Sequence, residues 1–442
     1  MSNPDGPLGF VVRQVATGDL LDLQAAQSFT RTTHDEPTFY WQHPARGEAW
    51  LAAGSVREFV ASGPDRIDVV AAAIRRCLRA LQPADGRPPA ALPCVVGGFA
   101  FSGEPVDRGP WREFPAARFF LPRRLWIQRA GRCDLVEVLG EAAPALDLVQ
   151  RDDIAPWPVD ETPGAWLERV ASALGRIERG EIDKVVLSRQ HHFPGLSPPP
   201  LRVLRTLRDT RPGCATFAFK PGTSVFFGST PELMVRRNGE RFVAPALAGT
   251  MRRGGDPHAD LERARALARC AKNRREHDAV VDGIRAALAG CDVVLDAARE
   301  PRVIALPEAF HLRTRISGRS ATRLDVLALA AALHPTPAVC GTPRAAAARL
   351  LRSDESGRGW YTGGIGWMDA RGDGEIAVAL RSALLAGHGL TTFAGAGIVR
   401  GSEPLAELAE TELKMAAILA PLRDAAAAAT RRDDRGGEAL RA

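Results

Sequence analysis

Two acidic helix faces carry the first sign of chemistry in this chain. On a helix read over residues 259 to 289, Glu276 falls at spacings of four with Val280, Ile284 and Leu288, so its side chain points inward. A buried carboxylate has to be protonated, paired or bound to a cation. A salt bridge to Lys272 at i−4, or to a partner elsewhere, is one reading, and ligation of a metal ion is the other. A final helix from about Pro404 to Leu419 sets Glu407, Glu410 and Lys414 on one face, continued by Ala417. Alone, that face is a solvated Glu-to-Lys pairing of small energetic weight. Combined with Glu276 it offers oxygen ligands from two helices, a donor set suited to Mg²⁺. Zinc is disfavoured, because no histidine pair stands at ligand spacing with a carboxylate and His191 and His192 point to opposite faces of a strand.

Two further residues could move protons. Lys184 opens the strand KVVLSR on the face of Val186 and Ser188, in a run too apolar to be wholly exposed. Desolvation or a nearby cation favours the neutral amine, which is the form a base needs. A lysine snorkelling from a strand start is the plain alternative. Glu232, in STPELM, follows a proline in a strand beside Leu233. In a dry site it becomes a proton donor, and on an edge strand it is an ordinary carboxylate.

The elements that must position these groups are legible in outline. Residues 1 to about 150 read as strand-rich, with TFYWQHP at 38, CVVGGFAF at 94 and two strand-like runs either side of Ala130, Gly131 and Arg132. The acidic, Pro-rich segment from 140 to 162 reads as a connection, and Thr162 with Pro163 as the cap and first turn of a helix through Trp166, Val170, Leu174 and Ile177. Beyond it, residues 225 to 245 form two strands about Asn238-Gly239, residues 360 to 385 repeat the pattern with an Asp-Gly turn, and LTTFAGAGIV at 390 adds another strand. Hairpins alternating with long helices predict an α+β fold with antiparallel sheets. GAGIVR at 395 is no dinucleotide fingerprint, since Arg400 stands at the third glycine position.

Composition narrows the function classes. With 45% hydrophobic and 25% charged residues among 442, the chain is an ordinary folded protein rather than a disordered or fibrous one. It lacks any run of eighteen apolar residues, and its start has neither the basic nor the apolar region of a signal peptide, so no membrane contact and a cytoplasmic location are expected. The seven cysteines are odd in number and never in CxxC spacing, so they read as reduced. The net charge of +6 is scattered, with no basic run or aromatic platform, and nucleic acid is not an expected partner.

Ten segments in order then resemble the chorismate-utilising enzymes, and within them the isochorismate synthases. They are KVVLSR at 184, STPELM at 229, LAGTMRRG at 247, KNRREH at 272, HLRT at 311, LHPTPAVCG at 333, RGWYTGGIGW at 358, GEIAVALRSA at 374, AGAGIV at 394 and ELAETELK at 407. The resemblance implies one chorismate-binding domain over residues 1 to 423, with halves of about 10 to 150 and 160 to 423, two antiparallel sheets sandwiched between outer helices, and a flexible tail from 424 to 442. It also implies roles. Lys184 matches the base that activates water for attack on C2 of chorismate, and Glu232 the acid that protonates the departing C4 hydroxyl. Glu276 and Glu410 match Mg²⁺ ligands, with Glu407 close behind. Arg381 and Lys414 match the cations that pair with the dicarboxylate, and Tyr361 an aromatic hydroxyl near it. Gly249, Thr250 and Gly395 match places of close approach to the ligand, while His311 and His334 match histidines that lie near the ring or serve only the structure.

Choice within the family turns on the nucleophile. Ala248 stands where aminodeoxychorismate synthases carry a nucleophilic lysine, and LHPTPAVCG with His334 differs from the usual anthranilate synthase segment. Water is therefore the expected attacker, with no glutaminase subunit and a monomeric enzyme. A salicylate synthase, which also releases pyruvate, is the first alternative, although Asn273 stands where such enzymes usually carry a second acid. A non-catalytic chorismate-binding homologue is the second.

Overall fold

Apolar alternation and tight turns make strands pair with their neighbours in antiparallel fashion through most of this chain. The computed structural model describes residues 8–31, 36–86, 89–104, 109–141, 160–320, 324–354, 357–387 and 389–439, with side chains of the last helix described through Leu422. The expected hairpin near residue 130 is formed by strands Ala117–Arg129 and Arg132–Leu139. Arg129 lies opposite Arg132, so Ala130 and Gly131 make the turn, with φ of 51° and 74°. Two positive φ values give a turn whose twist matches that of the flanking strands.

The long strands Glu48–Ala61 and Ala117–Arg129 pair with each other, and besides a branch through Arg132–Leu139 to Gly9–Val15 the hydrogen-bonded network leaves this pair as two long arms. One arm runs through Thr38–His43, Ala215–Lys220, Val225–Thr230, Ser382–Ala386 and Gly389–Val399 to Lys184–Pro194. The other runs through Cys94–Phe99, Gly364–Asp369, Gly374–Val378, Leu233–Asn238 and Arg241–Val243 to Ser317–Ser320. A separate three-stranded sheet joins Ala246–Arg252, Ala309–Thr314 and Arg302–Ala305.

Side chains of both arms meet in one apolar core, where Phe217, Phe219 and Phe226 of the first face Phe99, Ile365 and Ile376 of the second. Trp360, wholly buried, stacks on Phe219 at 5.2 Å, and its Nε1 donates to the Pro115 carbonyl at 2.8 Å. A Cβ on Gly98 would lie 2.7 Å from the Trp360 ring and 2.4 Å from the Gly364 carbonyl, so only glycine lets the indole sit there.

Helices cover the outside. They are α1 Arg66–Ala80, α2 Pro163–Glu178, α3 Pro200–Thr210, α4 Pro257–Arg269, α5 Ala271–Ala289, α6 Val326–Leu333, α7 Arg344–Asp354 and α8 Pro404–Ala439. Leu204 and Leu207 of α3 and Ile418 and Leu422 of α8 pack on the first arm, while α6 packs on strands of the second. α2 begins as its sequence predicts, with Thr162 Oγ1 accepting the Ala165 N–H at 3.2 Å and Pro163 in the first turn. The antiparallel α+β expectation is met, and the cysteines are all free thiols. No helix among the described residues is long and apolar enough to cross a membrane.

Several elements differ from their sequence reading. The helix expected over 259 to 289 is two, because Cys270 is extended at φ −70° and ψ 113°. The apolar stripe changes target there: Leu267 of α4 packs on Phe310 and Leu312, whereas Val280, Ile284 and Leu288 of α5 enter the main core. The strand expected from 225 to 238 breaks at Pro231-Glu232, where proline has no N–H to give a ladder and the chain passes from the first arm to the second. The turn near Asp373-Gly374 sits one step earlier, with Gly372 at φ 79° and the Asp369 carboxylate accepting the Arg371 and Asp373 N–H groups. Helix α1 was not expected, although Ile67, Val70, Ala71, Ile74 and Leu78 show the helical spacing. The final helix, expected to end near Leu419, runs on through Ala439, as its alanine-rich sequence favours. Most of the 140 to 162 connection lies outside the described residues.

Trp360→Ala removes the ring that both arms share and is expected to cost about 3–5 kcal/mol of stability. Urea unfolding followed by circular dichroism measures it, and an unchanged midpoint would show that this indole does not hold the arms together.

Candidate active site

The chain crosses between the arms at two adjacent places, and both carry a charged residue. The first crossing is Pro231-Glu232, and the second is the stretch from Ala379 to Arg381 that links Gly374–Val378 to Ser382–Ala386. The crossings are bonded together: Val378 N donates to the Glu232 carbonyl at 2.9 Å, Thr230 Oγ1 to the Val378 carbonyl at 2.6 Å and Ser229 N to the Arg381 carbonyl at 3.1 Å. Arg381 has φ of 47°, a left-handed conformation that a non-glycine residue keeps only where its surroundings enforce it.

These crossings form one wall of a cavity of about 70 Å³. Glu232 and Arg381 line it from that wall. Gly249, Thr250 and His311 line it from the three-stranded sheet, Glu276 from α5, and Glu410 and Lys414 from α8. Tyr361, Thr362 and Gly395 also line it, with the Tyr361 ring stacked on Phe393 at 5.3 Å. Val186, Leu247, Ala338, Val339 and Leu380 supply an apolar wall. Each of these five sits inside one of the ten segments, and only Val186, on the face of Lys184, stands out from sequence.

Charges inside the cavity are largely compensated. Lys184, only 1% exposed, donates from Nζ to Glu276 Oε1 at 3.1 Å, so it reaches the cavity by way of that carboxylate. Gly397 makes room for this pair, since a Cβ there would fall 2.7 Å from Glu276 Oε1 and 3.2 Å from Lys184 Cε. Lys414 Nζ bonds Glu410 Oε1 at 2.5 Å and the Gly395 carbonyl at 2.8 Å. Burial alone would raise the Glu410 carboxyl, but the Lys414 ammonium overrides it and holds the group below its ordinary value.

Glu232 behaves oppositely. Desolvation pushes its carboxyl up to about 7 against the downward pull of Lys184, Lys414 and Arg381. Near neutral pH it therefore holds or gives a proton with little bias, as a general acid should. Burial lowers His311 to about 4, leaving a neutral ring whose Nδ1 is 3.3 Å from Thr250 Oγ1 and whose Nε2 is buried without a protein partner among the described residues.

Three of the expected site residues do not line the cavity: Lys184, which meets it only through Glu276, His334 and Glu407. His334 packs edge-on against Phe99 and Phe101 and bonds the Phe101 carbonyl through Nε2 at 3.0 Å. Burial drives it to about 3, so the ring is neutral and spent on the fold. Glu407 lies behind the cavity, where Lys272 donates to its Oε1 at 2.9 Å. Lys272 thus pairs across helices rather than with Glu276 at i−4, and burial, with Glu410 nearby, raises the Glu407 carboxyl. Among the described residues no three His, Cys, Asp or Glu side chains converge to hold a metal unaided. Glu276 and Glu410, facing one cavity from two helices, remain as a two-carboxylate, oxygen-only donor pair.

The raised Glu232 value has a stability consequence. The native state keeps this proton longer than the unfolded chain does, so stability falls as pH climbs from about 4.5 to about 7 and then levels. Glu232→Gln lacks that fall and should gain on the order of 3 kcal/mol over the wild type between pH 4.5 and pH 8. Urea titrations at both pH values test this. An equal difference at each would mean that the carboxyl is not desolvated.

Comparison with known proteins adds to this geometry. The model of a family described as chorismate binding enzyme matches residues 10–146 and 149–423. The salicylate biosynthesis isochorismate synthase of Pseudomonas aeruginosa is 35% identical over 406 residues, spanning 86% of this chain and 84% of its own. An isochorismate synthase of Bacillus subtilis is 34% identical over 384 residues, or 84% of this chain and 90% of its own. The solved structure of the menaquinone-specific isochorismate synthase from Escherichia coli superposes with a TM-score of 0.75 at 28% identity, covering 94% of this chain and 95% of that one. Agreement of this extent between a family model, full-length relatives and a fold establishes that the chain belongs to the chorismate-binding enzyme family.

Proposed function

We propose that the chain is an isochorismate synthase, converting chorismate to isochorismate by attack of water at C2 and loss of the C4 hydroxyl. One observation carries the reading: a single cavity gathers a carboxyl that exchanges its proton near neutral pH, two cations suited to a dicarboxylate and a pair of facing acids. The isochorismate synthases among the relatives support it, as does Ala248 in the cavity wall, which cannot serve as an amine nucleophile.

In this reading Arg381 and Lys414 bind the substrate's carboxylates, and Gly249, Thr250 and Gly395 admit the ring against backbone. Lys184 takes a proton from the water that adds at C2. The ring double bond shifts, and Glu232 gives its proton to the oxygen leaving C4, so one water enters and one departs. The protonated lysine and ionised glutamate then exchange protons with solvent before the next turnover. Neutral His311, with its free Nε2, orients a hydroxyl or carboxyl of the ligand.

A Mg²⁺ ion fits the donor set, since Mg²⁺ usually takes one or two carboxylates and completes its shell with water and substrate. Glu276 and Glu410 would hold it, with Glu407 and Lys272 bracing α8 against α5 behind them. Bound there, the ion neutralises the facing acids and supplies a positive site for the ring carboxylate.

Purified protein with chorismate and Mg²⁺, without ammonium, should yield isochorismate and no pyruvate by liquid chromatography, and chelation should stop it. Pyruvate in step with turnover would instead mark a salicylate synthase. Lys184→Ala and Glu232→Gln should each lower kcat by about 100-fold or more while chorismate still binds. Wild-type turnover in either variant would remove that residue from the proton chemistry.

A further inference from the structure

Behind Arg381 stands a carboxylate that neither the family resemblance nor the cavity lining singles out. Glu308 precedes strand Ala309–Thr314, which carries His311, and its side chain is 11% exposed. It accepts from Arg381 Nε at 3.4 Å and from Arg211 Nη1 at 2.9 and 3.1 Å. Arg211, at the C-terminal cap of α3, also donates from Nη2 to the Ala417 carbonyl of α8 at 2.8 Å. One carboxylate therefore links Arg381 at the sheet crossing to the helix that bears Glu410 and Lys414.

The arrangement has two physical consequences. A guanidinium can grip a carboxylate either by Nε with one Nη or by its two terminal nitrogens. With Nε committed to Glu308, the edge that remains to Arg381 is the Nη pair. The charges also fail to balance, since two guanidiniums, 7% and 8% exposed, share one carboxylate. Arg381 is the member of this cluster that lines the cavity, so a carboxylate of the ligand meets it there.

We propose that Glu308 is a positioning residue, holding Arg381 by its Nε edge so that the terminal nitrogens meet a carboxylate of the substrate end-on, with Arg211 fixing Glu308 to α8. This deepens the isochorismate synthase reading and rests on it for the identity of the ligand. Glu308 touches no reacting atom, so its loss disturbs binding and leaves proton transfer at Lys184 and Glu232 in place.

The test is a double-mutant cycle read by calorimetric titration of chorismate alongside steady-state kinetics. Glu308→Gln should raise Kd and KM about tenfold, the worth of one charge-assisted contact, with kcat within about threefold of wild type. In an Arg381→Ala background the same change should have less than a twofold effect, because the group it positions is gone. A Glu308→Gln protein with wild-type Kd, or a loss that persists undiminished beside Arg381→Ala, overturns the proposal. If Glu308→Gln does not fold, Glu308→Asp keeps the charge and carries the same cycle with a smaller shift of about threefold, and additivity there is equally fatal. Wild-type protein that binds chorismate without converting it refutes the synthase reading and leaves this cycle intact. A chain that binds no chorismate refutes both.

Discussion

The site depends on a constraint of topology: the chain has to pass between the two arms of the sheet, and it does so twice in neighbouring positions. A crossing interrupts the ladder, so the backbone groups there need other partners. The two crossings satisfy one another, through Val378 N with the Glu232 carbonyl and Ser229 N with the Arg381 carbonyl. The side chains at the breaks are released from the alternation of the strands and turn into the same space. Glu232 and Arg381 owe their positions to that mutual repair.

Burial at this junction sets the electrostatics. Two of the cavity acids have a lysine within reach, Glu276 with Lys184 and Glu410 with Lys414, while Glu407 is matched by Lys272 behind them. Glu232 has no such direct partner among the described residues and feels its cations only at a distance, so desolvation wins and its carboxyl titrates near neutrality. Removing one member of a buried pair leaves the other uncompensated, which makes these pairs more demanding of each other than their net stabilisation suggests.

The sequence located the polar groups of the cavity better than the order of the strands. Inward-facing Glu276, the Glu410 and Lys414 spacing, and the apolar strand behind Lys184 follow from periodicity, and periodicity survives into the structure. The break at Cys270 does not follow from it, because each half of the helix keeps an apolar stripe and only the surface it meets changes. Pro231 was visible, but that it marks a passage between arms depends on pairings more than a hundred residues away. His334 looked like Thr250's neighbour His311 in type and motif. Only packing against Phe99 and Phe101 separates the structural ring from the one in the cavity. Glu308 gave no local signal at all, since its meaning lies in two arginines distant in sequence.

The described residues among the first 140 contribute none of the cavity-lining groups, yet Thr38–His43 borders Ala215–Lys220 and Cys94–Phe99 borders Gly364–Asp369. This portion works as a clasp, closing two strand edges that would otherwise invite other chains. Its duty is satisfied by backbone and by apolar bulk rather than by particular functional groups. Such a segment tolerates exchange of its side chains as long as the backbone pairing and the apolar bulk persist.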